Sequence, residues 1–252
     1  MVISFDDDLR VLSEFTNSRY QLRDAIRRTH TGEGTRLYDA VDLVINQRLN
    51  QIQGRKAIVL FTDGVDTTSR HSSYESNVRD AEELDALIYP IQYDTLADMI
   101  GGGGGTTWPG RPPTIGDILG QILGGRRGGG MGGRRGGRGT SREEYELASR
   151  YLHDLSEKTG ARLYNADTMQ NLASAFSSIA EELRRQYSLG YYPKRQAQIG
   201  ERRQIRVRVN RPNLAVRTRN SYIYGGSGTL ANRDESVQPS PPVLRRKLST
   251  SP

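Results

Sequence analysis

Two short loops in the first third of the chain carry side chains that could bind a metal ion. Thr35 follows a glycine just before an apolar helical pattern, and Asp63 precedes a glycine just after an apolar run. A hydroxyl and a carboxylate are oxygen ligands, which hard cations such as Mg²⁺ or Mn²⁺ prefer, and Mg²⁺ uses few protein carboxylates and keeps several waters. We therefore predict a divalent-metal site with Thr35 and Asp63 as its protein ligands.

The apolar run at residues 57–61 is the element that must position Asp63. It has no polar alternation and ends abruptly at a turn signal, which is typical of a central strand of a parallel sheet. In open α/β sheets the functional residues lie just beyond the carboxyl ends of such strands. A helix at about residues 77–84 and an apolar strand at 86–93 follow, and this strand–helix–strand order forces parallel pairing. The sequence predicts an α/β fold with a Rossmann-like, doubly wound, mainly parallel sheet.

The opening of the chain predicts a hairpin and two helices before that strand. Residues 2–5 and 11–15 read as its two strands, with Asp6, Asp7 and Asp8 expected to form a solvated turn between them. Ser18 and Gln21 have the spacing of a capping box at the start of a short helix. A longer helical pattern then runs from residue 37 to residue 52 and stops at Gly54.

Charge and glycine content divide the chain into five segments. Residues 1–97 and 141–185 form an acidic body with 17 Lys and Arg against 24 Asp and Glu. Residues 98–140 are rich in glycine and arginine, and we expect disorder there because glycine loses the most entropy on ordering. Residues 186–224, with nine basic residues and one acidic residue, alternate with period two and predict a basic antiparallel β extension packed against or beside the acidic body. Residues 225–252 read as a disordered tail.

The second part of the body predicts two helices around a short strand. Ser141 and Glu144 form a second capping box, and Gly160 ends the helix that begins there. A short strand follows at residues 161–164. Asp167 is then expected to cap a strongly amphipathic helix that reaches about residue 183.

Several protein classes find no support in the sequence. No apolar run approaches the ~20 residues that span a bilayer, and the sequence as given shows no signal peptide. Zero cysteines exclude disulfides and thiolate nucleophiles. The glycine run at residues 101–105 lacks the Lys-Ser/Thr of a phosphate-binding loop, and no Gly-x-Ser-x-Gly elbow occurs. We therefore do not expect an enzyme.

The two loops resemble those of the von Willebrand factor type A domain. In that family a metal-ion-dependent adhesion site combines an Asp-x-Ser-x-Ser loop, a Thr in Gly-Thr-x-Leu and an Asp in Thr-Asp-Gly; Thr35 and Asp63 match the second and third. The resemblance covers about residues 2–95 and 141–185, with Phe5-Asp6-Asp7 similar to the end of the family's second strand. Residues 182–191 and the basic hairpin resemble the extension of a bacterial von Willebrand type A-related subgroup.

The chain departs from this family at the first metal loop, because it contains no Asp-x-Ser-x-Ser. In the family's strand order, 3-2-1-4-5-6, the absent first strand would lie between the hairpin and residues 57–61. Two explanations stay open. The protein starts upstream, with a complete site and a signal peptide that makes it secreted or periplasmic; or residues 2–5 pair directly with residues 57–61 and metal binding is weak.

The resemblance implies a non-catalytic protein-interaction or adhesion module with a degenerate or truncated metal site. The expected partner is a protein that offers an acidic residue to the ion. The alternative is binding of RNA or another anionic surface through the insert, where residues 124–139 contain five arginines separated by glycines.

Overall fold

The computed structural model describes residues 1–30, 32, 34–93, 141–187, 189–195, 197–214 and 216–225. Its elements are, in chain order, β1 (Val2–Phe5), β2 (Leu9–Ser13), α1 (Arg19–Arg27), α2 (Leu37–Asp42), β3 (Ala57–Thr62), α3 (Tyr74–Glu83), β4 (Leu87–Gln92), α4 (Arg142–Thr159), β5 (Tyr164–Asn165), α5 (Met169–Arg184), β6 (Arg202–Gln204) and β7 (Ser221–Ile223). Helix α2 continues as a wider π-helical segment, Leu43–Arg48, and a 3₁₀ turn, Leu49–Gln51. The predicted disordered insert, and the predicted tail apart from Gly225, lie outside the described residues.

A parallel three-stranded sheet organises the body. Its strand order is β3-β4-β5, with Ile58 opposite Ile88 and only two residue pairs between β4 and β5. Helix α3 connects β3 to β4, as the strand–helix–strand pattern predicted. Because successive side chains point to opposite faces of a strand, Leu60 and Ile88 face one core cluster while β4 contributes other residues to a second.

Helices cover both faces of this sheet. One core cluster contains side chains of α2, α3 and α4, among them Leu37, Ala81 and Tyr151, and the other contains Ala175 and Ile179 of α5. Apolar burial of this kind is the main stabilising term in folding. The predicted α/β, Rossmann-like, doubly wound fold is thus confirmed.

The position of β3 in the sheet differs from the prediction. Among the described residues β3 is an edge strand, not a central one, and Val59 on it is exposed. In the described residues β1 pairs with β2 in a separate antiparallel sheet. Of the two explanations left open above, direct pairing of residues 2–5 with residues 57–61 is therefore wrong. An apolar run reports which faces of a strand are covered, and it carries little information about which edges are hydrogen-bonded.

The helix ends follow the predicted signals in most places. Ser141 and Glu144 make both bonds of a capping box, and Gly160 ends α4 with φ of 80°. Ser18 accepts a hydrogen bond from the Gln21 N–H at the start of α1. Helix α5 is capped by Thr168, which accepts from the Asn171 N–H, so the prediction of Asp167 as its cap was wrong by one residue.

The C-terminal extension is antiparallel, as predicted, but its strands are short. Strands β6 and β7 pair over three residues each, and one further bond joins the Ile205 N–H to the Asn220 carbonyl. The predicted β extension begins at residue 186, but residues 187 and 189–192 form no strand in the part of the chain that the structure describes, and Tyr187 is exposed. The alternation of apolar and basic residues therefore predicted which side chains share a face. It did not predict how many residues of the two strands pair through hydrogen bonds.

The extension packs on the acidic body through ion pairs. Glu82 of α3 is 2% exposed and accepts hydrogen bonds from Arg202 Nη2 at 2.6 Å and from the Ser221 hydroxyl at 2.5 Å. Arg217 binds Glu182 of α5 at 2.6 Å. These contacts confirm the prediction that the basic segment lies against the acidic body.

Candidate metal centre

The backbone of Thr35 is hydrogen-bonded to the loop that begins with Asp63. The Thr35 N–H donates to Thr67 Oγ1 at 2.8 Å, and the Thr35 carbonyl accepts from the N–H groups of Thr67 and Thr68 at 2.9 and 3.1 Å. Residues 63–72, here called the Asp63 loop, start at the carboxyl end of β3. The structure thus brings the two sequence-predicted loops together. That the Thr35 hydroxyl and the Asp63 carboxylate share one ion stays a prediction.

A tight turn holds Asp63 at the end of β3. Its Oδ1 accepts from the Val65 N–H at 3.1 Å, and its carbonyl accepts from Gln92 Nε2 at 3.1 Å, at the end of β4. Gly64 has φ of 89°, and a Cβ added there would lie 2.9 Å from Leu152 Cδ1 of α4. The turn therefore depends on glycine for its backbone conformation and for its close approach to the helix.

The turn between β1 and β2 approaches the same place. Asp6 is buried, and its carbonyl accepts from the Arg36 N–H at 3.1 Å, so our expectation of a solvated turn was wrong for this residue. A Cβ added at Gly34 would lie 2.5 Å from Asp7 Oδ1, and one at Gly32 would lie 2.6 Å from Asp7 Oδ2. Asp7, which sequence reasoning missed as a site residue, thus lies directly against the chain that leads to Thr35. Two glycines at nearby positions, Gly32 and Gly34, were the feature of the sequence that could have indicated this close contact with Asp7.

Thr68 provides a test of whether the site fits a cation. Its Oγ1 is buried and has no hydrogen-bond partner among the described residues, and it lies 3.0 Å from the point where a Cβ on Gly34 would fall. A buried hydroxyl without a partner is unfavourable by about 1–3 kcal/mol. An oxygen donor of this kind beside the Asp7 carboxylate is what a hard cation requires, so the residues present fit the implied metal.

Asp39 ties the start of α2 to the Asp63 loop. Its carboxylate is 4% exposed, binds Arg36 Nη2 at 2.7 Å, and accepts from the N–H groups of Arg70, His71 and Ser72 at 3.1, 2.9 and 2.9 Å. Burial alone would raise the pKa of Asp39, but the guanidinium and the three N–H donors hold that pKa well below its ordinary value. Sequence reasoning missed this residue because an acidic residue in a first helical turn usually only pairs with the helix dipole.

Asp66 makes a second link between the same two segments. Its Oδ1 accepts from the Tyr38 N–H at 3.0 Å and from the Ser69 hydroxyl at 2.5 Å. Ser69 Oγ in turn accepts from the Asp39 N–H at 3.0 Å. Together Asp39 and Asp66 fix the loop that carries Asp63 relative to the helix that follows Thr35.

A separate cluster of possible metal ligands lies on the surface of α4. His153 Nδ1 is 3.7 Å from both Asp154 Oδ1 and Glu157 Oε2. A second histidine beside a carboxylate is His71, whose Nδ1 is 3.5 Å from Asp39 Oδ2. The cluster is formed within one helix, and Asp154 already accepts a hydrogen bond from the Tyr74 hydroxyl at 2.5 Å.

A cavity of about 400 Å³ lies beyond the carboxyl ends of β4 and β5. Its lining includes Gln92, the side chain that binds the Asp63 carbonyl, together with Tyr93 and Tyr145. This places room for a side chain of a bound partner next to the turn that holds Asp63. Over the described ranges, no helix is both long enough and apolar enough to cross a membrane.

Comparisons with known proteins point to one family. A family model for the von Willebrand factor type A domain matches residues 1–65. Searches of curated proteins and of solved structures gave no match. Domains of this type are generally non-catalytic protein-interaction modules, and they often bind Mg²⁺ or Mn²⁺. The resemblance to the von Willebrand factor type A domain is therefore confirmed for residues 1–65, the segment that contains both Thr35 and Asp63.

Proposed function

We propose that this protein is a non-catalytic interaction module that binds a protein partner through a divalent cation held by Thr35 and Asp63. The observation that carries the proposal is the backbone bonding of Thr35 to Thr67 and Thr68 on the Asp63 loop. Both ligands lie in the segment matched by the family model.

The charges around the site support a cation. The Asp7 carboxylate and the buried Thr68 hydroxyl lie beside the Thr35 loop. Of the neighbouring arginines, Arg36 is paired with Asp39 at 2.7 Å, and Arg10 is 3.4 Å from Asp8. Both guanidinium groups are therefore paired with carboxylates, and the oxygen atoms of Asp7 and Thr68 beside the Thr35 loop suit an added positive charge.

Because the proposed site has few protein ligands, some coordination positions of the ion stay open for a partner. When bound, a Mg²⁺ or Mn²⁺ ion supplies a positive charge that an Asp or Glu of another protein can coordinate in place of water. In this chain, Asp39 and Asp66 fix the two loops before any ion arrives, so little ordering is needed on binding. The cavity beside Gln92 offers space for residues that flank the partner's carboxylate.

Calorimetry tests the metal site. We expect Mg²⁺ and Mn²⁺ to bind the wild-type chain, and Thr35→Val and Asp63→Asn each to weaken binding at least tenfold. The first variant removes the hydroxyl oxygen, and the second removes the negative charge of the carboxylate. Asp24→Asn is the matched control, since Asp24 forms an exposed ion pair with Arg28 on the surface of α1. No binding heat from the wild type with either ion, or equal affinity in all variants, would remove the proposal.

The alternative of RNA or anionic-surface binding by the Gly/Arg-rich insert remains a prediction from sequence, because the insert lies outside the described residues.

A further inference from the structure

The loop between β6 and β7, residues 205–220, has an unusually one-sided charge. It contains five arginines and no acidic residue: Arg206, Arg208, Arg211, Arg217 and Arg219. Arg217 pairs with Glu182 at 2.6 Å and Arg219 with Asp85 at 3.6 Å. Within the described part of the chain, the other three have no acidic side chain at ion-pair distance.

These three arginines are presented outward from an anchored base. Side chains alternate between exposed and half-buried from residue 201 to residue 208, which puts Arg206 and Arg208 on the same side as Arg202. Arg202 is bound to the buried Glu82. Arg206, Arg208 and Arg211 are exposed, and the loop that carries them extends from a two-stranded sheet that Arg202 anchors to Glu82.

Aliphatic side chains are exposed among these arginines. Val209 is 46% exposed, Leu214 is 59% exposed and Val216 is 42% exposed. The chain reverses direction between them, where Asn213 has φ of 60°. The far end of the loop thus combines unpaired cations with exposed apolar groups.

We propose that residues 205–214, together with Val216, form a peripheral contact for the surface of an anionic phospholipid bilayer. Guanidinium groups bind lipid phosphates, each basic residue adds to the attraction of a negatively charged leaflet, and aliphatic groups enter the boundary between headgroups and acyl chains. This contact is independent of the proposed metal site and goes beyond it.

A single-stranded nucleic acid fits the same loop less well. Such ligands are held by aromatic side chains on which bases stack, together with basic groups. Residues 205–216 contain no aromatic residue. The nearby Tyr191 is engaged at the base of the extension, where its hydroxyl bonds that of Tyr222 on β7.

Vesicle flotation of the full chain tests the proposal. The vesicles are pure phosphatidylcholine or phosphatidylcholine with 30% phosphatidylglycerol, at low salt with EDTA, so that the metal site does not contribute. We expect binding only to the anionic vesicles. Replacing three cations with Arg206→Gln, Arg208→Gln and Arg211→Gln should weaken it about a hundredfold.

The matched control removes the same charge from α1 through Arg19→Gln, Arg23→Gln and Arg27→Gln, three exposed arginines on one helix. It should bind nearly as well as the wild type, and Leu214→Ser should bind more weakly than the wild type. Equal binding to neutral vesicles, an equal loss in the α1 control, or tighter binding to a single-stranded RNA oligomer than to anionic vesicles would each overturn the proposal. Far-UV circular dichroism checks that each variant is folded.

Discussion

At the scale of single residues, Asp39 shows how a buried charge can position ligands that it does not touch. Its carboxylate accepts from three consecutive backbone N–H groups of the Asp63 loop and from the Arg36 guanidinium. Charge-assisted bonds in a buried setting are stronger than neutral ones, so the loop is held in one arrangement. Asp39 is thus a positioning residue for the candidate metal centre.

We predict that Asp39→Asn lowers the free energy of unfolding by about 3 kcal/mol at pH 7, because it leaves Arg36 without its buried partner. The pKa of Asp39 is depressed in the folded state, so its contribution is complete above the unfolded pKa of about 4. That contribution falls progressively as the pH drops from there toward the lower folded pKa. Urea unfolding at pH 7 and at pH 3 measures both effects.

The difference between wild type and Asp39→Asn should therefore shrink at pH 3. Asp24→Asn, at an exposed helix pair, should change stability by no more than about 0.5 kcal/mol. A pH-independent difference between wild type and Asp39→Asn would show that the charge of Asp39 is not what stabilises the loop.

Among single residues, the sequence revealed the two candidate metal ligands but not the residues that surround and position them. Thr35 and Asp63 were found because each lies in a short local pattern. Asp7, Asp39 and Thr68 act through contacts 25 to 34 residues away in sequence, between loops whose mutual position depends on the whole fold. No local pattern encodes such contacts.

At the scale of elements, the turn after β3 depends on its packing against α4. Gly64 and Gly54 both have positive φ, at 89° and 91°. A Cβ at Gly64 would meet Leu152 at 2.9 Å and Ala148 at 3.1 Å, whereas one at Gly54 would meet nothing within 4 Å. The two glycines therefore separate the effect of backbone strain from that of crowding.

We predict that Gly54→Ala costs about 1 kcal/mol, from backbone strain alone. Gly64→Ala should cost about 1–3 kcal/mol more, because α4 must also give way. Urea unfolding of the two variants gives the comparison. Equal losses would mean that the turn after Asp63 is free to move away from the helix.

Helices and strands with a clear local sequence pattern were predictable, but which strands pair with one another was not. The apolar runs gave β3 and β4 to within a residue or two, and the Ser141 capping box gave the first turn of α4. The edge position of β3 and the separate β1-β2 sheet were not predicted, because pairing between distant segments leaves no periodicity in the chain.

At the scale of the whole molecule, opposite charges in different segments bring the extension onto the body. Glu82 is the most buried acidic partner in the described contacts, and it holds both strands of the extension through Arg202 and Ser221. The opposite net charges of the body and the extension, counted from the sequence, predicted that the two would pack together. They could not identify Glu82, because burial of a carboxylate depends on what covers it.

We predict that Glu82→Gln loosens the extension, because the neutral amide loses the ion pair with Arg202. The loss should be about 2 kcal/mol. Hydrogen exchange of the amides of Ser221–Ile223 should become faster, while exchange in β4 changes little. Glu181→Gln is the control, since Glu181 forms exposed pairs with Arg184 and Arg185. Unchanged exchange in β7 would show that the extension is held by other contacts.

The central claim is that Thr35 and Asp63 lie around one divalent ion at the carboxyl end of β3. Paramagnetic broadening of backbone amide signals by substoichiometric Mn²⁺ tests it most directly. We predict selective broadening at Thr35, Gly64 and Thr68, and its loss in Asp63→Asn. Broadening centred instead on His153, Asp154 and Glu157, or no selective broadening at all, would contradict the account.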